Sequence, residues 1–207
     1  MRGVLPLAVV LCVLLAASAR CIIAAEPIIT DPAKIDMAQR TAELQELRFG
    51  MFICWSFSTF GDYEWTRGAE NVDFFRATEC DTDQWARTAN EAGMGYILFL
   101  TKHHDGFCLW DTKTTEWKVT NAPLGRDVLA DLKKSCDKFG IKLALYFSEA
   151  DWTWIDDDLA RSGIIAPGSE QWGNPIWRQG ENAELKKAQL RELLTQYGPI
   201  EYIWFDH

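Results

Sequence analysis

Short apolar runs alternate with longer mixed segments along most of the chain. The runs at 50–55, 96–101, 142–148 and 200–206 have the length and the β-branched and aromatic content of buried strands. The segments 31–47, 81–92, 127–139 and 182–197 have the length and pattern of helices. Strands that alternate with helices in this way predict consecutive βαβ units and hence a parallel sheet.

Residue types that begin or end helices stand at the boundaries of these segments: Asp31-Pro32, Asp81 or Thr82, Gly93, Gly140 and Gly198-Pro199. In the fourth helix, apolar residues recur at helical spacing: Leu185, Leu190, Leu193 and Leu194. This spacing predicts an apolar face on that helix.

Two architectures contain parallel sheets of this kind. A doubly wound nucleotide-binding sheet carries a glycine-rich turn after its first strand, but the segment 55–58 (WSFS) has neither a glycine nor a phosphate-binding lysine. A (β/α)8 barrel needs no such turn and collects its chemistry at the C-terminal ends of its strands. Polar and aromatic residues follow each predicted strand: Cys54-Trp55, His103-His104-Asp105, Glu149 with Asp151, and Asp206-His207.

We therefore predict an α/β fold, a (β/α)8 barrel of TIM type. A complete barrel needs about 250 residues, whereas these 207 residues contain four predicted strands. The expectation is that only about the first four βα units are present. Tryptophans are concentrated in the long segments between strands, where indoles either stack on sugar rings or simply cover the end of the barrel.

The N-terminal 25 residues have the pattern of a secretory leader. Arg2 precedes an almost wholly apolar run at 4–17, and Ala17-Ser18-Ala19 resembles a signal-peptidase site. The run is shorter than the roughly 20 residues that a membrane span needs. Cleavage after Ala19 or after Ala25 fits this pattern. We expect a signal peptide over residues 1–25, a mature domain over residues 26–207, a secreted or periplasmic location, and no stable membrane association after cleavage.

Charge and cysteine content limit the partners and the redox chemistry. The formal charge of −9 becomes about −11 when two leader arginines leave, and such acidity argues against nucleic acid as a partner. Four cysteines remain after cleavage: Cys54, Cys80, Cys108 and Cys136. Because they show no zinc-type spacing, we expect mostly buried free thiols, although an oxidising compartment would permit one disulfide.

The adjacent histidines after the second strand, His103 and His104, have three readings. They are metal ligands with Asp105, a general base with its partner, or two groups that bind hydroxyls. If both lay on the strand, one would be packed and the other solvated, because neighbouring strand residues point to opposite faces. Asp206 is similarly open, as the N-cap of a following helix or as a nucleophile or base.

The stretch from Arg48 to Asp206 resembles the catalytic domain of the α-L-fucosidases of glycoside hydrolase family 29. RFGMFICWSFSTFGDYEW is similar to that family's first-strand region, and LTKHHDGF is similar to its TKHHEGF signature. GRDVLADL and YFSEADW also match, and YGPIEYIWFDH resembles the strand that ends in the catalytic nucleophile. These motifs occur in the order in which the family has them.

The resemblance implies roles for particular residues. Asp206 matches the nucleophile of a retaining hydrolase that removes terminal α-L-fucose, or a related sugar, from a fucosylated oligosaccharide or glycoconjugate. The implied sugar-binding residues are His103, His104, Glu64, Trp65, Trp204, Trp55 and Tyr146. No metal and no cofactor is implied, because hydrolysis proceeds by two displacements with a second group as acid and base.

Three departures from the family pattern accompany the resemblance. Cys54 replaces a hydroxyl-binding histidine, and Phe147 stands where members often have Tyr or His, so we expect an altered sugar preference. The family's acid/base residue lies on the later half of the barrel, so we expect a chain truncated after the nucleophile strand and inactive by itself. The alternatives are a carbohydrate-binding protein without catalysis and a metal-dependent hydrolase.

Overall fold

The computed structural model describes residues 35–61, 71–151 and 180–206, the last range with side chains from 183 onward. Its helices and strands follow one another in this order: α1 (Met37–Glu46), β1 (Gly50–Ile53), α2 (Thr82–Glu91), β2 (Tyr96–Lys102), α3 (Val128–Phe139), β3 (Lys142–Ser148), α4 (Gly180–Gln196) and β4 (Ile203–Asp206). The predicted leader, residues 1–25, lies outside the described residues. The chain divides into two compact units, Met1–Met37 and Ala38–His207, and all four strands belong to the second unit.

The four strands form one sheet in the order β1-β2-β3-β4, and each pair is parallel. Every strand therefore pairs with the next one along the chain, as in repeated βαβ units. The predicted α/β fold with a parallel four-stranded sheet is confirmed, whereas closure into an eight-stranded barrel stays a prediction.

The two middle strands form the centre of the hydrophobic core. β2 and β3 are seven residues long, and six residues of each are buried. Phe99, Leu100 and Leu145 are completely inaccessible to solvent. Continuous apolar runs of this kind are expected where helices or loops cover both faces of a parallel sheet.

Capping residues begin α2 and α3, and for α2 the cap is one of the two residues that the sequence predicts. The Asp81 carboxylate accepts a hydrogen bond from Gln84 N–H at 3.0 Å, which makes Asp81 rather than Thr82 the cap. Asp127 accepts from Ala130 N–H at 2.9 Å. Gly140 ends α3 in the left-handed conformation, with φ at 69°, where a side chain would be strained.

Several boundaries differ from the predictions, among them those of α1, β1 and β4. α1 begins at Met37 and not near Asp31, because residues 35 and 36 are not helical; residues 31–34 lie outside the described range. β1 ends at Ile53, two residues early. β4 is regular only from Ile203, although Glu201 N–H already donates to Leu143 O at 2.8 Å, so pairing starts before the regular strand.

The prediction of a leucine face on α4 is wrong in part. Leu193 is fully buried, but Leu194 is 54% exposed. The most buried positions include a polar series three residues apart: Lys186, Gln189 and Glu192. These side chains make hydrogen bonds to the segments that follow β2 and β3, so α4 buries donors and acceptors where the periodicity alone suggested leucines.

The four cysteines after the leader are all described, and all are free thiols. Cys108 and Cys136 are buried, Cys80 is half-buried and Cys54 is exposed, so the expectation of mostly buried thiols holds for two of them. Among the described residues, no helix combines the length and the apolar character that a membrane span requires.

Candidate active site

Polar side chains meet where β3 and β4 end. In the register of these strands, Tyr146 pairs with Trp204 and Ser148 pairs with Asp206. Because alternate strand residues point to the same face, these four side chains share one face of the sheet. The parallel arrangement thus brings a carboxylate, a phenol, a hydroxyl and an indole together at the C-terminal edge.

The Asp206 carboxylate is held by a group from β3 and by a group from the turn that follows β2. Tyr146 Oη donates a hydrogen bond to Asp206 Oδ2, and His104 Nε2 lies 3.7 Å from the same oxygen. Burial, followed by the hydrogen bond to Asp206, raises the pKa of the Tyr146 phenol well above its usual value. Tyr146 therefore remains a neutral donor to this carboxylate at ordinary pH.

The two histidines lie in a turn just beyond the end of β2. The turn is closed by Gly106 N–H, which donates to His103 O at 3.1 Å. The two imidazole rings have centroids 4.3 Å apart, so they do not point to opposite faces as strand residues would. The expected difference in exposure is present nevertheless, since His104 is 2% exposed and His103 is half-buried.

The His103 ring also stacks on Tyr146, with centroids 5.8 Å apart and an interplanar angle of 10°. Asp105, the third residue of the sequence cluster, uses its Oδ1 to accept Phe107 N–H at 3.0 Å within the turn. Within the described ranges, no group of three or more His, Cys, Asp or Glu residues is arranged to hold a metal ion. Through the stacking of His103 on Tyr146 and the approach of His104 to Asp206, the histidine pair lies beside Tyr146 and Asp206.

A buried lysine that the sequence patterns did not single out supports this turn. Lys102 Nζ is fully buried, 3.1 Å from Gln189 Oε1, 3.4 Å from Asp151 Oδ2 and 4.4 Å from the centre of the Phe147 ring. A Cβ at Gly106, whose φ is +72°, would come within 2.7 Å of Asp151 Oδ1. The Lys102–Asp151 pair thus packs directly under the histidine turn.

Asp151 is 2% exposed in that position. It is therefore not available to protonate a leaving group on an open sugar site, although the sequence places it after a strand end.

Ser148 is a second residue of the site, besides Lys102, that the sequence patterns did not single out. Its signal was the strand period of two, which puts Ser148 on the same face as Tyr146.

Three aromatic rings lie beside the carboxylate, and two of them are half exposed. The Phe52, Tyr146 and Trp204 rings have centroids between 5.8 and 6.2 Å apart, and Phe52 and Trp204 are 46% and 50% exposed. Phe52 is on β1 and Trp204 is on β4, with two strands between them. In a flat sheet those strands would be about 14 Å apart, so the sheet is strongly curved and this face is concave.

Two of the predicted departures have different surroundings. Cys54 lies just after β1 and part of its surface is exposed to solvent. The surrounding protein nevertheless desolvates its thiol in part, and this, followed by the nearby Asp105 charge, raises the pKa of the thiol, so it stays protonated. Phe147 is fully buried on the face opposite Tyr146, where its ring packs against Phe205 with the two ring centroids 6.4 Å apart. The expectation that Phe147 removes a sugar contact is therefore wrong, because alternation turns its side chain to the other face.

Trp55 is the one other predicted sugar-binding residue within the described ranges, and its ring contacts lie with a different set of aromatic residues. Trp55 packs against Phe75 and Trp85, with centroids 4.8 and 5.6 Å apart. Glu64 and Trp65 lie outside the described residues. Of the predicted set, the structure brings together Asp206, Tyr146, Trp204, His103 and His104.

A carboxylate at the C-terminal end of a parallel strand, flanked by half-exposed aromatic rings and by imidazoles, lies where barrel enzymes carry their catalytic residues. The family model described as alpha-L-fucosidase matches residues 62–207. Alpha-L-fucosidase 1 of Arabidopsis thaliana is 31% identical over 159 residues, which are 75% of this chain and 28% of that protein. The chain belongs to the α-L-fucosidase family.

Solved structures support the same assignment. A glycoside hydrolase 29 family member from an unknown rumen bacterium has a TM-score of 0.64 and 34% identity over 81% of this chain and 27% of its own. Alpha-L-fucosidase isoenzyme 1 from Paenibacillus thiaminolyticus has a TM-score of 0.63 and 34% identity over 82% of this chain and 43% of its own.

A third structure, from Bacteroides thetaiotaomicron, is an α-L-fucosidase GH29 trapped covalent intermediate with 2-fluoro-fucosyl fluoride. It has a TM-score of 0.60 and 29% identity over 81% of this chain and 41% of its own. The chain thus spans less than half of the length of each of these four relatives.

Proposed function

We propose that this chain supplies the nucleophile side of the active site of a retaining α-L-fucosidase, with Asp206 as the nucleophile. The observation that carries the proposal is the convergence of Tyr146 Oη and His104 Nε2 on Asp206 Oδ2 at the C-terminal edge of the sheet. A side chain that only capped a following helix would have no need of a buried phenol from β3 and an imidazole from the turn after β2.

The reaction proceeds by two displacements. Asp206 attacks the anomeric carbon of the sugar while an acid donates a proton to the glycosidic oxygen, so that the C–O bond breaks and the alcohol leaves. The same second group, now a base, takes a proton from water, and the water oxygen displaces Asp206 from the fucosyl ester. The trapped covalent intermediate of the Bacteroides relative supports an ester of this kind.

The aromatic surface suits a sugar ring. Trp204 and Phe52 offer apolar faces to the C–H groups of the sugar, and both are about half exposed. His103 and His104 are the proposed partners for the sugar hydroxyls. We also assign sugar contacts to Tyr146, Trp55, Glu64 and Trp65 on the family resemblance. We propose that the substrate is a fucosylated oligosaccharide or glycoconjugate.

The leader pattern supports our further proposal of a secreted or periplasmic protein that loses its N-terminal residues, 1–25 or 1–19. N-terminal sequencing of the exported protein tests this part of the proposal, because cleavage predicts a mature N-terminus at Glu26 or, with the earlier site, at Arg20. Retention of Met1 in the exported form would contradict it.

The catalytic proposal is tested on the full-length protein with an aryl α-L-fucoside. Asp206→Asn keeps the shape of the side chain but removes the nucleophile, so turnover is expected to fall roughly 1,000-fold or more. Asp137→Asn is the matched control, since Asp137 is 65% exposed and pairs only with Lys133 among the ion pairs of the described residues. Turnover unaffected by Asp206→Asn would overturn the assignment.

A fluorinated fucosyl fluoride provides the direct test. Peptide mapping of the inactivated protein is expected to locate the sugar on Asp206, because the fluorine slows hydrolysis of the ester. Sugar binding by calorimetry together with no turnover and no adduct would favour the alternative, a carbohydrate-binding protein without catalysis.

A further inference from the structure

Ser148 is the last residue of β3 and is completely buried. Its Oγ makes two short contacts, one with Ala150 O at 2.7 Å and one with His104 Nδ1 at 2.5 Å. Ser148 is not among the sugar-binding residues that the resemblance implies, whereas its partner His104 is. Together the two contacts link the end of β3 to the buried member of the histidine pair.

The direction of both hydrogen bonds follows from the chemistry of the atoms. A carbonyl oxygen only accepts, so the single proton of the Ser148 hydroxyl must be donated to Ala150 O. The Ser148 oxygen is then an acceptor toward His104, and Nδ1 must carry the proton that it donates. A neutral imidazole has one N–H, which leaves Nε2 with a lone pair.

We infer that Ser148 is a positioning residue that holds neutral His104 in the tautomer with its proton on Nδ1 and its Nε2 as an acceptor beside Asp206. Nε2 lies 3.7 Å from Asp206 Oδ2, the oxygen that accepts the hydrogen bond from Tyr146. In the opposite tautomer, an Nε2–H would point at that oxygen. Ser148 thus keeps His104 Nε2 from donating a hydrogen bond to the Asp206 carboxylate.

For the reaction, this inference rests on the proposed function. A carboxylate that receives fewer hydrogen bonds keeps more of its negative charge for attack on the anomeric carbon. An acceptor nitrogen at this position selects a sugar hydroxyl that donates its proton to His104, and it discriminates against an analogue without that hydroxyl. The tautomer itself does not depend on whether the protein hydrolyses anything.

The test is the nitrogen NMR spectrum of the histidine rings, which distinguishes a protonated from an unprotonated ring nitrogen. The chain has three histidines, and the spectrum of His104→Gln identifies the His104 signals. At a pH where the ring is neutral, the expected result is a protonated Nδ1 and an unprotonated Nε2. A proton on Nε2 in the unmodified chain would overturn the inference without any further variant.

Two substitutions at Ser148 test the cause. Ser148→Ala removes the acceptor, so the nearby Asp206 carboxylate is expected to draw the proton to Nε2, with loss of the protonated Nδ1 signal. Ser148→Thr keeps the hydroxyl and is expected to restore that signal. Ser135→Ala is the matched control, because Ser135 is a buried serine on α3 whose hydroxyl bonds to Thr82 and Asp83.

If Ser148→Ala retains the proton on Nδ1, the role of Ser148 is disproved.

In the full-length protein, Ser148→Ala is expected to raise KM for an aryl fucoside roughly tenfold, because the orientation of one hydroxyl contact is lost. Ser148→Thr is expected to recover the KM of the unmodified protein. Absence of hydrolysis in every form, with the tautomer as stated, would reject the proposed function and leave the positioning role intact.

Discussion

The middle strands and the outer strands of the sheet differ in burial and in what they contribute to the site. β2 and β3 are buried along almost their whole length. On β1 and β4, by contrast, Phe52, Trp204 and Phe205 are 46%, 50% and 47% exposed. The middle strands lead into the buried supports, Lys102 and Ser148, while the outer strands carry the aromatic surface and Asp206.

The difference separates stability from chemistry. Groups under the histidine turn have exchanged water for protein partners, so removing one partner leaves another polar group without compensation. Groups on the outer strands are still partly in water, and their loss changes what the site binds more than whether the chain folds. Four sets of substitutions test this separation, from the largest expected effect on stability to the smallest.

The largest difference is expected between two tryptophans. Trp110 is fully buried and its Nε1 donates to Glu192 at 2.9 Å, so Trp110→Ala should lower the free energy of unfolding by about 3–5 kcal/mol. Trp204→Ala should cost less than about 1.5 kcal/mol, because half of that side chain is already exposed. Urea unfolding measures both, and equal losses would refute the comparison.

Lys102→Met is expected to reduce the free energy of unfolding by about 3 kcal/mol. It removes the ammonium that lies 3.4 Å from the Asp151 carboxylate in a fully buried place. Lys113→Met is the control, since Lys113 is 71% exposed in its ion pair with Asp111 and should contribute far less to stability than the buried lysine. A loss in Lys102→Met no larger than in the control would show that the buried pair is not a support.

The polar face of α4 gives a third pair. Gln189→Leu removes the oxygen that accepts from Lys102 Nζ, and we expect a loss of about 2 kcal/mol even though a leucine better fits helix periodicity. Leu194→Gln on the exposed side should change the free energy of unfolding by less than about 0.5 kcal/mol. Stabilisation by Gln189→Leu would restore the leucine-face interpretation.

The smallest effect concerns acid stability outside the site. Hydrogen bonds from Lys113 and Lys118 lower the pKa of Asp111 to about 2. Because its pKa is lower in the folded state than in the unfolded chain, where it is about 3.9, this carboxylate stabilises the fold above pH 4 and loses that effect as the pH falls toward 2.

Asp111→Asn should therefore be less stable than the unmodified chain above pH 4, by less than about 1 kcal/mol because the side chain is 37% exposed. The two proteins should approach each other in stability near pH 2. Urea midpoints measured between pH 2 and pH 6 check this, and a difference that grows with acidity would contradict the sign.

Much of the fold could be predicted because it depends on local patterns. The bounds of β3 and the cap at Asp81 follow from short-range hydrophobic pattern and capping chemistry, which act within a few residues. The α4 face could not be predicted in this way. Its polar residues are buried because their partners come from distant segments, and helical periodicity carries no information about such partners.

The amino-acid sequence by itself determined the alternation of strands and helices, the family, and Asp206 with His103 and His104 as the residues of interest. Only the tertiary structure decided how they are arranged: that Tyr146 donates to Asp206, that Ser148 orients His104, and that Phe147 faces away. The physical reason is that hydrogen bonds between strands depend on register and on which face each side chain occupies. A chain acquires both only when the sheet is assembled.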